Sequence, residues 1–239
     1  MTGAIRPPWV DIEDFFRLPF NYCDRWCEKC RLTDRCRVFK NEEKRNEKYI
    51  RQGKDPHSLE CAFETIGDTF KEIRKGLSKS AKKFGIDINN LDYSSVEEDL
   101  EPETFEIYQL ALKFSKAGKR ILSDLQVVPE DIDESLLIDN AETISYYSTA
   151  VPPKVYRAIL SRIEEEKDPE IVESCPDARN SGFLLINWFD EITCSLTELI
   201  NYPPLRPMRE KLLKYKKTTV NLMEVIEVEF GVREEKKLN

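Results

Sequence analysis

Apolar residues return at intervals of three and four along most of this chain, which marks a succession of helices rather than strands. Leu59, Ala62, Phe63, Ile66, Phe70, Ile73 and Leu77 share one stripe of a helix starting near Ser58, with one face expected to be buried and the other solvated. Ile107, Leu110, Ala111, Phe114, Ile121, Leu122 and Leu125 form a second stripe, with Pro102 suited to the helix's first turn. A third helix is expected over Ala141 to Ala150, broken at Pro152-Pro153 and resumed from Val155 to Glu166, because two consecutive prolines remove two amide donors. Asp177 is placed to cap a strongly apolar helix carrying Leu185, Trp188, Phe189, Ile192, Leu196, Leu199 and Ile200, which Asn201-Tyr202-Pro203-Pro204 stops. The last helix runs from Leu205 to about Phe230 through Met208, Leu212, Tyr215, Leu222, Met223 and Ile226, with Gly231 just beyond and Glu234 to Asn239 fraying.

Ahead of these lie two shorter helical patterns. Asp11 to Phe20 offers Ile12, Phe15, Phe16 and Phe20 as an apolar face until Pro19 disturbs it, and Arg37 to Arg51 is a charged helix ending near Gly53 and Asp55-Pro56. The polar, acidic stretch from Gly85 to Glu101 reads as a connector, and Val127 to Asp139 as a loop or short helix. The expected fold is all-α: an N-terminal four-cysteine metal-binding loop packed on an antiparallel helical bundle. The division drawn is residues 1–57, a cysteine-rich region with a basic helix, and residues 58–239, the bundle, with a sub-boundary near 85–101.

Composition agrees with a helical chain. Eight glycines in 239 residues and few hairpin signals argue against a sandwich, a barrel or a glycine-rich nucleotide fold. No run approaches the roughly 18 uncharged apolar residues that a membrane span needs, and no long apolar leader precedes Pro8, so the protein is expected in the cytoplasm. The net charge is −8, yet residues 25–54 hold eleven Lys or Arg against five Asp or Glu. Such asymmetry can steer an anionic partner or balance a thiolate-metal centre. Arg37, Lys40, Lys44, Lys48 and Arg51 make a basic helical stripe: a solvated face interleaved with Glu42, Glu43 and Glu47, or a phosphate-contacting surface for nucleic acid.

The most concentrated chemistry is the run from Tyr22 to Cys36, with Cys23, Cys27, Cys30 and Cys36 spaced C-x3-C-x2-C-x5-C. In a reducing compartment a dense cysteine set holds a metal rather than disulfides. Four soft sulfur anions suit tetrahedral zinc or an iron-sulfur cluster, not magnesium or calcium. One short loop without glycine favours a 4Fe-4S cluster over zinc, whose knuckles come as two separated pairs that often carry glycine; zinc is the alternative. Arg25, Lys29, Arg31, Arg35 and Arg37 would offset the cluster's charge, and Tyr22, Trp26 and Phe39 would shield it. Cys61, Cys175 and Cys194 are expected as small core hydrophobes.

The Cys27 to Cys36 segment resembles the C-x2-C-x5-C iron-sulfur motif that closes RecB-like exonuclease domains. The resemblance extends to the cluster motif only, since the nuclease core's Asp and Glu-x-Lys are absent. Cys23-x3-Cys27-x2-Cys30 also resembles the radical S-adenosylmethionine signature, although a fourth cysteine and the lack of a βα barrel argue against that class. Over most of its length the chain is similar to a group of uncharacterised bacterial proteins that join a Tyr-Cys-Asp-x-Trp-Cys-Glu-x-Cys segment to a helical remainder, carried here by Tyr22 to Cys30 and Asp177 to Leu199.

Other chemistry is thin. Glu64, Glu106, Glu142 and Glu191 are conceivable di-iron ligands, but the Glu-x-x-His pairs are missing. His57, the one histidine, reads as a cap-region or surface residue. Tyr146, Tyr147, Tyr156, Trp188 and Phe189 suit the core or the wall of an inter-helix pocket. The expectation is a metal-binding helical protein with a structural four-cysteine centre and a binding or adaptor role toward a protein partner. An iron-sulfur electron-transfer or redox-sensing protein, and an enzyme acting on a small molecule in an inter-helix pocket, are the alternatives.

Overall fold

The computed structural model describes residues 3–87, 101, 104–126, 134–167 and 176–232. Seven α-helices occur among them: α1 Ile12–Arg17, α2 Arg37–Arg51, α3 Leu59–Lys83, α4 Glu106–Leu125, α5 Glu134–Lys167, α6 Asp177–Asn201 and α7 Arg209–Glu229. Short 3-10 turns at Pro19–Tyr22, Cys27–Lys29, Thr33–Arg35 and Pro203–Met208 link them. The connector read over 85–101 lies mostly outside the described residues, as do Pro102, residues 127–133, Cys175 and the fraying tail. The chain separates into two compact units, Met1–Leu32 with Glu101–Asn239, and Thr33–Leu100.

The first unit is a bundle of α4 to α7, and side-chain pairs reveal its directions. Tyr108 near the start of α4 packs on Tyr156 late in α5 (ring centroids 5.9 Å apart). Asn140 early in α5 bonds Glu198 late in α6 (3.1 Å), while Arg157 late in α5 bonds Asp177 at the head of α6 (2.9 Å). Lys216 of α7 reaches back to Thr197 of α6, and Lys211 to Asp124 at the end of α4 (both 2.8 Å). Each consecutive pair is antiparallel, the up-down-up-down order that short connections favour.

The predicted apolar stripes of α4, α6 and α7 are this unit's core. Phe114 stacks on Tyr215 (5.3 Å) and meets Phe189 edge-on (5.4 Å). Leu185, Ile192, Leu196, Leu199, Leu212 and Ile226 are fully buried around them. Gly118 is where the helices come closest: a Cβ there would lie 2.3 Å from Ser148 Oγ and 2.6 Å from Tyr215 Oη. Those two hydroxyls share a buried hydrogen bond of 2.8 Å.

Several expectations are corrected. The break at Pro152-Pro153 does not occur; α5 runs unbroken through both prolines. Val151, Pro152, Val155 and Ala158 are buried in succession there, and that packing outweighs the roughly 3 kcal/mol a helix-interior proline costs. Asp177 does not cap α6; it is the first helical residue, with its carboxylate turned to Arg157 and Ser161. The 3-10 turn Pro203–Met208 takes up the start of the last predicted helix, which begins at Arg209. Ile12 and Phe16 of α1 are exposed, leaving Phe15 as the buried residue of that helix. Cys61 is buried as expected, but Cys194 is exposed.

In the second unit α2 occupies the predicted Arg37–Arg51, and Ser58 caps α3 by accepting the Cys61 amide (3.3 Å). Buried Tyr49 holds the pair together: its hydroxyl donates to the Cys61 carbonyl (3.3 Å) and lies 3.2 Å from Thr65 Oγ1. Lys54 ion-pairs with Glu60 (3.0 Å) and Glu64. The largest departure is the α3 stripe. Leu59, Phe63, Ile66, Phe70, Ile73 and Leu77 are 50–78% exposed rather than buried. Periodicity identifies an amphipathic helix but not the surface that covers it.

Candidate functional site: the cysteine loop and its anchor

The loop bearing the first three cysteines belongs to the first unit and is organised around one buried acid. Asp24 is 5% exposed. Its Oδ2 accepts hydrogen bonds from the Gly3 amide (3.0 Å) and the Tyr147 hydroxyl (2.9 Å), and its Oδ1 from the Trp26 amide (2.9 Å). The bond to an amide two residues on is an Asx turn, the local preference that suits Asp to tight loops. Its backbone carbonyl accepts a fourth bond from the Tyr146 hydroxyl (2.7 Å). Burial, and next the Asp24 carboxylate, push both tyrosine hydroxyls above their ordinary pKa, so each remains a donor.

Aromatic packing completes the anchor. The Trp26 indole stacks on Tyr146 (4.4 Å, 16° between planes) and meets Tyr147 edge-on (5.7 Å), and Tyr147 stacks in turn on Trp188 (5.6 Å). Lys29 covers the indole at 4.0 Å and reaches Glu142 at 3.3 Å. A second fastening lies upstream, where Trp9 donates from Nε1 to Asn180 of α6 (2.8 Å) and packs edge-on against Phe183 (5.5 Å). The segment from Gly3 to Leu32 is thus pinned to α5 and α6 by residues more than a hundred positions away.

Within this frame Cys23 pairs with Ala4 in an isolated antiparallel bridge, and its thiol donates to the Phe20 carbonyl (3.5 Å). Arg25 adopts a left-handed conformation (φ 67°), and its carbonyl accepts the Cys27 amide (2.9 Å). Cys27 begins a 3-10 turn that returns the Cys30 amide to the Cys27 carbonyl (3.1 Å). The Leu32 amide donates to Cys30 Sγ (3.4 Å). Gly3, with φ 105°, packs directly on Cys30: a Cβ at Gly3 would stand 3.1 Å from the sulfur. Cys36 lies in the second unit as the N-cap residue of α2. All four thiols are half-buried and none is in a disulfide. Among the described residues, no group of three or more His, Cys, Asp or Glu side chains is gathered to hold a metal ion.

The amide donation from Leu32 holds the Cys30 side chain in one orientation within the loop. Of the di-iron candidates, Glu64 pairs with Lys54 and Glu142 with Lys29. His57 is exposed, its amide donating to Asp55 Oδ1 (2.9 Å). The basic stripe from Arg37 to Arg51 is solvent-facing throughout.

A pocket of about 360 Å³ opens beside the loop, lined among others by Cys23, Arg25, Tyr146, Lys154, Arg157 and Trp188. Tyr146 and Trp188 therefore do line a pocket, whereas Tyr147 and Phe189 are core. Burial pushes the Lys154 amine down to about 8, against the opposing pull of the Asp177 carboxylate. Burial alone would raise the Asp177 carboxyl, but hydrogen bonds from Arg157 and Ser161 hold it below its usual value. Because the folded pKa of Lys154 lies below the ordinary lysine value, the unfolded chain binds more protons between these values, and this residue costs stability below about pH 8. Lys154→Met is expected to stabilise the protein by about 1 kcal/mol near neutral pH. The gain should fade as pH rises through 8 toward 10.5 in thermal melts; a gain independent of pH would point to packing instead.

Sequence reasoning passed over Gly3, Trp9, Asp24 and Lys154. The Asp-x-Trp spacing was a usable signal for the Asx turn, but nothing local announces Tyr146, Tyr147 or Asn180 as partners. Compared with family models, with curated proteins and with solved structures, the chain finds no match. Among the described residues no helix is long and apolar enough to cross a membrane.

Proposed function

We propose that this is a metal-binding helical protein in which Cys23, Cys27, Cys30 and Cys36 ligate one centre, a 4Fe-4S cluster with zinc as the alternative. The observation carrying the reading is the support built under the loop: a buried carboxylate with three donors holds the segment that carries Cys23 and Cys27, and the Leu32 amide donates to Cys30 Sγ. Cys36 enters on spacing alone, six positions after Cys30. Four thiolates would supply tight binding of a soft cation, and the centre's first role is structural, tethering the leading segment while the rest of the molecule binds a protein partner.

Iron, acid-labile sulfide and zinc are measured on protein purified without oxygen. Iron and sulfide in equal amounts with absorbance near about 400 nm establish the cluster. Stoichiometric zinc alone establishes the alternative, and protein free of all three overturns the proposal. A second reading, a small molecule bound between helices, draws on the pocket where Lys154 and Arg157 meet Trp188 and Cys23. Positive side chains against an aromatic wall suit a small carboxylate or phosphate.

A further inference from the structure

The exposed face of α3 has a regularity that a merely solvated helix has no reason to keep. Leu59, Phe63, Ile66, Phe70, Ile73 and Leu77 alternate steps of four and three; the next step falls on Ser80, and Phe84 lies seven positions after Leu77. This is the 3.5-residue repeat of a coiled-coil seam, and it extends for about 27 Å from Leu59 to Leu77 at 1.5 Å per residue. All six side chains are at least half exposed, and so is Phe84 at 73%. Tyr49 bonds Cys61 and Thr65, which lie off this line, so the packing that holds α2 on α3 leaves the seam open.

Half of the positions flanking the seam are small, the others being Glu60, Thr69, Arg74 and Lys83. Ala62, Gly67, Gly76 and Ala81 border it, and a Cβ added at Gly67 or Gly76 would meet nothing within 4 Å. Glycine inside a helix costs roughly 1 kcal/mol relative to alanine, a cost offset where another helix must approach closely.

Charge identifies the occupant. Residues 59–70 contain Glu60, Glu64 and Asp68 and no base, whereas residues 71–83 contain Lys71, Arg74, Lys75, Lys79, Lys82 and Lys83 against Glu72 alone. Lys54 already pairs with Glu60 and Glu64, and Lys71 with Asp68, so a partner's bases would extend existing ion pairs rather than meet unpaired acids. Two such helices laid parallel set like charges together along their whole length. Laid antiparallel, each acidic half meets a basic half.

We propose that α3 pairs antiparallel with α3 of a second copy of this chain, closing Phe84 on Leu59, Leu77 on Ile66 and Phe70 on Ile73. The proposal does not depend on the metal centre. Full-length protein in sedimentation equilibrium is expected to be a dimer in the micromolar range. Phe70→Glu, which places a charge at the middle of the seam, should raise the dimer dissociation constant at least about 100-fold while helical content stays unchanged. Carbodiimide, which joins carboxylate to amine with no spacer, tests the direction on the unmodified chain. Glu60 and Lys82 are about 33 Å apart along one helix, so a Glu60 or Glu64 link to Lys79, Lys82 or Lys83 forms only between antiparallel copies. A monomeric wild type overturns the proposal. So does a dimer unaffected by Phe70→Glu, or one that gives none of these links, including one that buries the stripe against another protein surface.

Discussion

Asp24→Ala is expected to lower stability by about 3–5 kcal/mol, a large share of what a domain of this size has in reserve. The substitution orphans three donors at once, the Gly3 and Trp26 amides and the Tyr147 hydroxyl, around a residue that is 5% exposed. A buried donor left without an acceptor costs more than the bond was worth, and the three share one acceptor group, so their losses compound. Asp24→Asn keeps one carbonyl oxygen but turns an amide toward groups that are themselves donors, and should recover less than half of the loss. Tyr147→Phe removes a single donor and should cost about 1 kcal/mol. Urea unfolding measures the series: midpoints should fall in the order Tyr147→Phe, Asp24→Asn, Asp24→Ala with little change in slope. An Asp24→Ala midpoint within error of wild type would show that the acid is not the anchor of the loop.

Cys30→Ser is expected to empty the proposed metal centre almost completely. A serine hydroxyl is a hard, weakly acidic ligand that a soft-metal site does not accept, and for a structural zinc centre, the alternative assignment, roughly 10–16 kcal/mol of apparent binding free energy is linked to folding. The loss should be local. The α4–α7 core contains no residue of the loop except Trp26, so the bundle amides should keep their slow hydrogen exchange. Amides of residues 3–36 should exchange faster, because Gly3 lies against Cys30 and Leu32 donates to it. Cys194→Ser is the control: an exposed thiol outside the loop should leave metal content and exchange unchanged. If Cys30→Ser retains its metal, or if its exchange pattern matches wild type, the structural role assigned to the centre is wrong.

How much of this was visible in the chain varies by residue. The ends of α2 and the start of α3 were readable because their signals are local: Gly53 and Asp55-Pro56 stop one helix, and Ser58 caps the next. The faces of α4 and α6 were readable because their apolar stripes are broad and find partners within the same bundle. Pro152-Pro153 misled, since a backbone rule that holds for an isolated helix is overridden when Val151 and Val155 are driven into the core. The α3 stripe misled in the opposite sense: its period is genuine, but an amphipathic face says only that a partner is favourable, not that this chain supplies it.

The cysteine loop divides along the same line. Its four thiols, its Asx turn at Asp24 and its helical surroundings follow from spacing and local preference, which act over a few residues and depend on no distant part of the chain. The burial of Asp24, the stacking of Trp26 on Tyr146, the bond from Trp9 to Asn180 and the low pKa of Lys154 arise when segments 120 to 171 positions apart are brought together and water is excluded between them. Dielectric environment and long-range packing are properties of the folded arrangement, and no short stretch of residues carries them.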